Sequence, residues 1–432
     1  MKNVFYSVIL LMINSSVVLS SGSDVIGFGA RGISMGNTGA SASNDSSAVF
    51  YNAALLIEIK NHLMLGTTLT DMYIDIVPFE GSSGDKYGGV TNMYGLYLSG
   101  KHDLKFNNFA FGFGIYLPTN RIHLEKSYFP DEREHYFSNK IYPELYGVRS
   151  EGESIYLAGA YRVLSNFSIG AGTIMKINSF APSYQYLPSI IRTDQMYLNL
   201  NAEEKIKLFP VAGIFYRPVD NLSIGLSYRA STYFKIVSRS YTEVRGLTKP
   251  GEPNVFEEVF LFQFTPNEYT GSISVRYSNW LATTDLVYEE YSDYRDSHNR
   301  KPVVPFKDII SAHFGVEHLL TDSWLLRGGY VFKPTPVPEQ NGRTNYADTD
   351  VHYVTLGNGF IWNYEGWKLR LDLYVLLMFF EERINRKTKD ALDPVIDEDQ
   401  NLEGIQSRNP GYPGFTMSGF GYGGGISLSI FY

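Results

Sequence analysis

Apolar and polar residues alternate one by one along most of this chain, in runs of about ten residues separated by polar stretches that contain Gly and Pro. In residues 222–230, Leu222, Ile224, Leu226, Tyr228 and Ala230 share one face, and Ser223, Gly225, Ser227 and Arg229 share the other. Residues 269–277 repeat the pattern, with Tyr269, Gly271, Ile273, Val275 and Tyr277 against Thr270, Ser272, Ser274 and Arg276. In residues 324–333, Trp324, Leu326, Gly328, Tyr330 and Phe332 oppose Arg327, Gly329 and Lys333. A period of two points successive side chains to opposite faces of an extended strand, so each run predicts a strand with one apolar face. The pattern predicts fourteen strands: 62–72, 89–101, 107–117, 153–163, 166–179, 204–217, 221–236, 267–278, 281–291, 308–319, 323–333, 351–363, 367–381 and 419–432.

A soluble sandwich would also bury one apolar face. The connections separate the two architectures. Those after even-numbered strands are short, and those after odd-numbered strands run from about 16 to 37 residues, the asymmetry of short periplasmic turns and long outside loops. Residues 180–203 leave room for a further hairpin. The last strand places Phe420, Tyr422, Gly424, Ile426, Leu428, Ile430 and Tyr432 on one face and ends on an aromatic residue, resembling the end signal read by barrel-assembly machinery. The predicted fold is all-β: a transmembrane antiparallel β-barrel of about 14 strands over residues 61–432.

Composition adds a compartment. Lys2 is followed by an apolar run, Val4 to Ile13, and a small-residue stretch with Val18 and Ser20 at the −3 and −1 positions of a cleavage site, so residues 1–20 are predicted to be a secretory signal peptide. The alternative, a membrane anchor, has too short an apolar run to span well. The chain has 33 Tyr and 28 Phe but no Cys, which excludes disulfides, thiolate metal sites and a lipid-acylated N-terminus. A formal net charge of −8 argues against a nucleic-acid surface.

Residues 21–60 break the alternation. They are rich in Gly, Ala, Ser and Asn, yet carry Phe50, Tyr51, Leu55, Leu56 and Ile57, too apolar for a disordered tail. A barrel of eight strands is already just filled by side chains, so one of fourteen needs a plug or is an open pore. Residues 21–60 are predicted to be a hatch inside the lumen.

The strand 367–381 points to the cargo. Trp367, Leu369, Leu371, Leu373, Val375, Leu377 and Phe379 form its outward set. The alternate set begins polar, at Lys368, Arg370 and Asp372, and turns apolar at Tyr374, Leu376, Met378 and Phe380. A water-filled lumen would stay polar. The apolar half either lines a site for a greasy cargo or packs on the hatch. Arg229, Arg276, Arg327, Lys368 and Arg370 lie on inward faces, where each either meets an anionic head group or pairs with inward acids such as Asp285, Glu289 and Asp372. No Gly-x-Ser-x-Gly elbow, His-Glu-x-x-His or phosphate loop is present, so no catalytic residue, metal or cofactor is predicted. Asp348, Asp350 and His352 are read as the salt-bridged start of a strand, and the acidic loop 381–403 as solvated.

The N-terminal GARGISMGNTGASASNDSSAVFYNAALL resembles the opening of the FadL-type family of outer-membrane transporters for long-chain fatty acids and other hydrophobic compounds. Asp45, Phe50, Tyr51 and Asn52 match its acidic residue, aromatic pair and Asn; the Pro expected next is Ala53. PVDNLSIGLSYRAS (218–231), LATTDLVYEEYSDY (281–294) and WLLRGGYVFKPTPVPEQNGRTNYADTDVHYVTLGNGF (324–360) resemble further blocks of that family in the same order. The resemblance implies a monomeric, hatch-plugged barrel in the bacterial outer membrane, amid lipid and lipopolysaccharide. Hydrophobic molecules such as long-chain fatty acids would be captured outside, bound within and released sideways, without energy coupling. Phe28, Phe50, Tyr51, Arg327, Arg370, Tyr374, Leu376, Met378 and Phe380 are the candidate cargo contacts. Two other classes fit a barrel: a partner-binding or structural barrel of the secretion-associated kind, and an outer-membrane hydrolase. Neither has a positive feature in the sequence.

Overall fold

The computed structural model describes residues 26–81, 87–104, 108–119, 141, 143, 145–146, 154–188, 196–201, 203–296, 299, 301–302, 304–342, 344–390, 409 and 411–432. The predicted signal peptide lies outside the described residues, as does the loop 381–403 beyond Asp390. The segment from Ile26 forms two short helices, α1 (Ala30–Ser34) and α2 (Ala48–Tyr51), and a 3-10 helix at Ala53–Glu58. The strands follow: β1 (His62–Pro78), β2 (Tyr87–Asp103), β3 (Phe109–Pro118), β4 (Ser154–Leu164), β5 (Phe167–Leu187), β6 (Tyr197–Leu200), β7 (Glu203–Val219), β8 (Leu222–Arg229), β9 (Thr232–Val244), β10 (Asn254–Thr265), β11 (Asn267–Tyr277), β12 (Trp280–Glu290), β13 (Ile309–Thr321), β14 (Trp324–Lys333), β15 (Val351–Tyr364), β16 (Trp367–Arg386) and β17 (Gly414–Phe431).

Fourteen of these form the wall, all but β6, β9 and β10, each antiparallel to its neighbours. β1 closes on β17 from His62↔Phe431 to Pro78↔Phe415, so no edge is left open to lipid, as a spanning sheet requires. The Tyr432 amide then donates to the Asn61 carbonyl at 3.1 Å, tying the last residue to the start of the wall. The alternation sets the two faces. In β16, Val375, Leu377 and Phe379 are exposed on the lipid side while Arg370, Asp372, Tyr374, Leu376, Met378 and Phe380 are buried in the lumen. Among the described residues no helix is long and apolar enough to cross a membrane.

The structure departs from the predicted strands at three places. The strand predicted at 221–236 ends at Arg229, and β9 begins after a break. The next residue, Ala230, donates its amide to the Pro210 carbonyl at 3.0 Å, but Pro210 has no N–H to return. Ser231 and Thr232 turn their amides to Asn267 Oδ1 and Thr265 Oγ1, and the chain leaves the wall. β9 then runs parallel to the upper part of β5 and pairs with β10. β10 was not legible because NVFEEVFLFQFT has apolar residues on both faces and so lacks the two-fold alternation. In the room left at 180–203, β5 runs on to Leu187 and pairs with β6.

The N-terminal segment fills the lumen as predicted for a hatch. Phe28, Val49, Leu55, Leu56 and Ile57 are buried against Met64, Tyr97, Tyr116, Tyr156, Phe209 and Phe215 of the wall. Ile26, Ala30 and Ile33 pack against Met72, Ile74, Met93, Leu376 and Met378. Each such large side chain contributes about 1.5–3 kcal/mol on full burial.

Candidate cargo site

The hatch owes its shape to short-range bonds among polar residues. Gly36 and Asn37 both hold positive φ, 65° and 59°, and turn the chain back after α1. Asn37 then accepts from the Tyr51 hydroxyl at 3.0 Å, and that hydroxyl accepts from the Phe28 amide at 3.2 Å. Asn52 caps the 3-10 helix by accepting from the Ala54 amide, and donates to the carbonyls of Ala40 and Ile214. The turn therefore forms with Ala53 in place of the expected Pro.

Beneath α1 a chain of six buried charges joins hatch to wall. Arg31 donates Nε and Nη2 to Glu317 at 3.0 and 3.2 Å. Arg327 donates Nε to Glu317 and Nη1 to Asp372, both at 2.7 Å. Arg370 donates Nε to Asp372 at 2.7 Å, Nη2 to Asp45 at 2.5 Å and Nη1 to Asn44 at 2.7 Å. Three cations thus alternate with three carboxylates, as buried charge requires. Asp285 adds a clasp higher up: Oδ2 accepts from the amides of Gly39 and Ala40 at 3.0 and 3.2 Å.

These placements sort the residues singled out from sequence. Arg327 and Arg370 sit in the charge chain, and among the described residues Arg327 Nη2 has no partner. Phe28, Phe50 and Tyr51 form one aromatic group: Phe28 and Phe50 stack at 5.9 Å, and Tyr51 meets Phe50 edge-on at 4.9 Å. Tyr374, Leu376, Met378 and Phe380 lie across the lumen, packed with Ile26 and Ile33 of the hatch. Of the three inward acids expected to pair with inward cations, Asp372 takes Arg327 and Arg370, Glu289 takes Lys333, and Asp285 bonds to the hatch instead. Arg229 pairs with Glu268. His352 Nε2 lies 2.6 Å from Glu381 Oε1, while the carboxylates of Asp348 and Asp350 accept from the hydroxyl and amide of Thr335.

On the outer side of the hatch lies a cavity of about 70 Å³, lined among others by Phe50, Tyr51, Arg229, Val287, Lys333 and Tyr353. Of the nine candidate contacts only Phe50 and Tyr51 reach it. The others on its wall stand at the outer ends of β8, β12, β14 and β15, and inward parity near a long loop is the sequence signal that marks them. On the side of the short turns, two further cavities of about 310 and 200 Å³ are lined by polar residues including Arg276. Beyond the wall, Tyr294 stacks on Phe306 at 4.3 Å and meets Phe264 of β10 edge-on at 5.3 Å, tying the β9–β10 hairpin to the loop after β12.

The loop 334–350 carries a proton-sensitive contact. Asp348 Oδ2 accepts from the Thr335 hydroxyl at 2.5 Å, and burial pushes its carboxyl up to about 6, with the Thr335 hydroxyl, the Thr349 amide and Arg383 pulling the other way. The folded loop therefore holds a proton that an unfolded one sheds near the ordinary carboxylate range. This stabilisation is full at pH below that range and is lost as pH rises through about 6. Amide hydrogen exchange across 334–350 is expected to be slower at pH 4 than at pH 7.5 after correction for intrinsic rates. Asp348→Asn should flatten the difference; an unchanged difference would remove Asp348 as its source.

A closed fourteen-strand wall with an apolar outer belt, and a folded segment pinned in its lumen by buried charges, defines a plugged outer-membrane barrel. The chain belongs to the outer membrane protein transport protein family (OMPP1/FadL/TodX), whose model matches residues 11–408. Among solved structures, it resembles a Pseudomonas aeruginosa FadL homologue at 17% identity and TM-score 0.59, covering 96% of this chain and 99% of that one. It also resembles the P. putida toluene transporter TodX, at 14% identity and TM-score 0.52 over 95% and 99% of the two chains. The CymD monoaromatic hydrocarbon channel matches at 12% and 0.53, over 95% and 98%. No curated protein matches the chain.

Proposed function

We propose that this protein lets hydrophobic compounds cross the outer membrane passively. Cargo is captured at the outer face, held against the hatch at Phe28, Phe50 and Tyr51, passed along Tyr374, Leu376, Met378 and Phe380, and released sideways into the membrane. The observation that carries this reading is a closed barrel of this transport family whose inward run on β16 is apolar: its four buried residues pack on Ile26 and Ile33 of the hatch, so cargo that moves the hatch meets an apolar wall where a water-filled channel would be polar. The toluene transporter TodX and the CymD monoaromatic hydrocarbon channel, which share the fold, support the same class of cargo. Long-chain fatty acids belong to it too, but their length asks more of the lumen than a single ring does. Arg327 and Arg370 enter as anchors of the hatch, whose release opens the path. The wall closes within one chain, so a single copy provides a complete path.

Whole-cell uptake tests the proposal. In an outer-membrane-limited host, expression is expected to raise the initial uptake of labelled toluene or a long-chain fatty acid severalfold, while sugar permeation stays at background. Rapid sugar flux with no gain for either hydrophobic probe would mean an open porin and end this reading.

A further inference from the structure

We infer that the cavity above the hatch selects a small neutral aromatic bearing a hydroxyl group, rather than a hydrocarbon or an anionic acyl chain. The inference rests on the transport reading and names its cargo more narrowly.

Size sets the first limit. The cavity holds about 70 Å³, whereas a pocket that accepts one benzene ring measures roughly 150 Å³. Movement of one side chain, such as the half-buried Phe50, would make up the difference for a ring. An extended acyl chain would need several such movements and the loss of the hatch contacts themselves.

Charge sets the second. The permanent cations on the cavity wall are already matched. Arg229 is bonded to Glu268 at 2.5 Å and Lys333 to Glu289 at 2.7 Å. Asp285 is a third carboxylate, spent on Ser272 and the hatch amides. His313, which also lines the cavity, is held by the Gly36 carbonyl and Ser311. An anionic head group would enter among three acids and two permanent cations, and would have to break an existing pair to gain one.

The third limit is a polar group without a partner. Tyr353 is 7% exposed and lines the cavity, and its hydroxyl makes no hydrogen bond among the described residues. A pure hydrocarbon would leave that hydroxyl and the neighbouring ion pairs against an apolar surface, which costs binding. A ligand hydroxyl both donates and accepts, so it can satisfy Tyr353, while Glu289 and Lys333 stay bonded to each other. Val287 and Val331 supply apolar walls for the ring.

The test uses the purified full-length protein in detergent, titrated with p-cresol, toluene and laurate by calorimetry, alongside the uptake assay above. p-Cresol is expected to bind about tenfold more tightly than toluene, the ratio one added hydrogen bond gives. Tyr353→Phe should bring p-cresol down to the affinity of toluene and leave toluene unchanged. Equal or tighter binding of toluene, preferred binding of laurate, or a p-cresol preference that survives Tyr353→Phe would each overturn the inference. Absence of binding by all three probes in a protein that still accelerates hydrophobic uptake would also overturn it, leaving the transport reading intact. Failure of uptake as well would remove both.

Discussion

Replacing Arg370 with methionine is expected to free the hatch and turn a closed barrel into a conducting one. Arg370 is the link through which β16 holds Asn44 and Asp45, and its three nitrogens are spent on Asp372, Asp45 and Asn44. Asp372 would keep Arg327, but Asp45, 1% exposed, would lose its salt bridge. Its remaining partners are the amide and hydroxyl of Ser47, which carry no charge. Removing one member of a buried pair costs about 3–5 kcal/mol, because the other charge stays desolvated. The folded segment can avoid that cost by leaving the lumen, where water solvates Asp45. In planar bilayers the variant should show discrete openings absent from the parent, and residues 26–60 should become sensitive to protease. Arg370→Lys should fall between the two, since an ammonium lacks the planar fork that reaches three acceptors at once. A closed, protease-resistant Arg370→Met protein would mean that apolar packing alone retains the hatch.

The second large effect is steric. Gly225 faces the lumen where the hatch backbone comes nearest to β8, and a Cβ there would lie 1.9 Å from the Ala40 carbonyl oxygen. That oxygen cannot retreat freely. It accepts from Asn52 Nδ2 at 2.6 Å, and the Ala40 amide is bonded to Asp285. Gly225→Val should therefore displace the turn at residues 39–41 and loosen the hatch by about 1–3 kcal/mol or more, as overpacking does. Gly271→Val is the control. Its Cβ would meet only Leu226 Cδ2, at 3.9 Å. Both variants should assemble as barrels, judged by heat-modifiable migration in gels, while only Gly225→Val raises conductance. Equal conductance in the two would show that the hatch does not rely on that contact.

The two results would probe different parts of one design. Charges give the hatch a register, because each arginine has acceptors in one place only. Glycines let its backbone approach the wall closely enough for those bonds to form.

The sequence alone determined the parts that repeat locally. A strand with one face in lipid and one in the lumen must alternate with period two, so the fourteen wall strands, their inward sets and the parity of their connections could all be read directly. The inward run at Tyr374, Leu376, Met378 and Phe380 and the folded segment ahead of the first strand were legible for the same reason, each being a departure from a regular background. Tertiary structure decided the rest, because it depends on residues far apart in the chain. Arg31 and Glu317 are 286 positions apart, and nothing near either one names the other. The wall's curvature brings Arg229, Lys333 and Tyr353 around one cavity. It also draws Arg370 to the hatch and Arg327 to Glu317 and Asp372 of the wall, although period two marks Arg229, Arg327, Lys333 and Arg370 alike as inward. The β9–β10 hairpin belongs with these. Pro210, a residue of β7, withholds a donor from β8, and the chain leaves the wall where its own alternation would have carried it on.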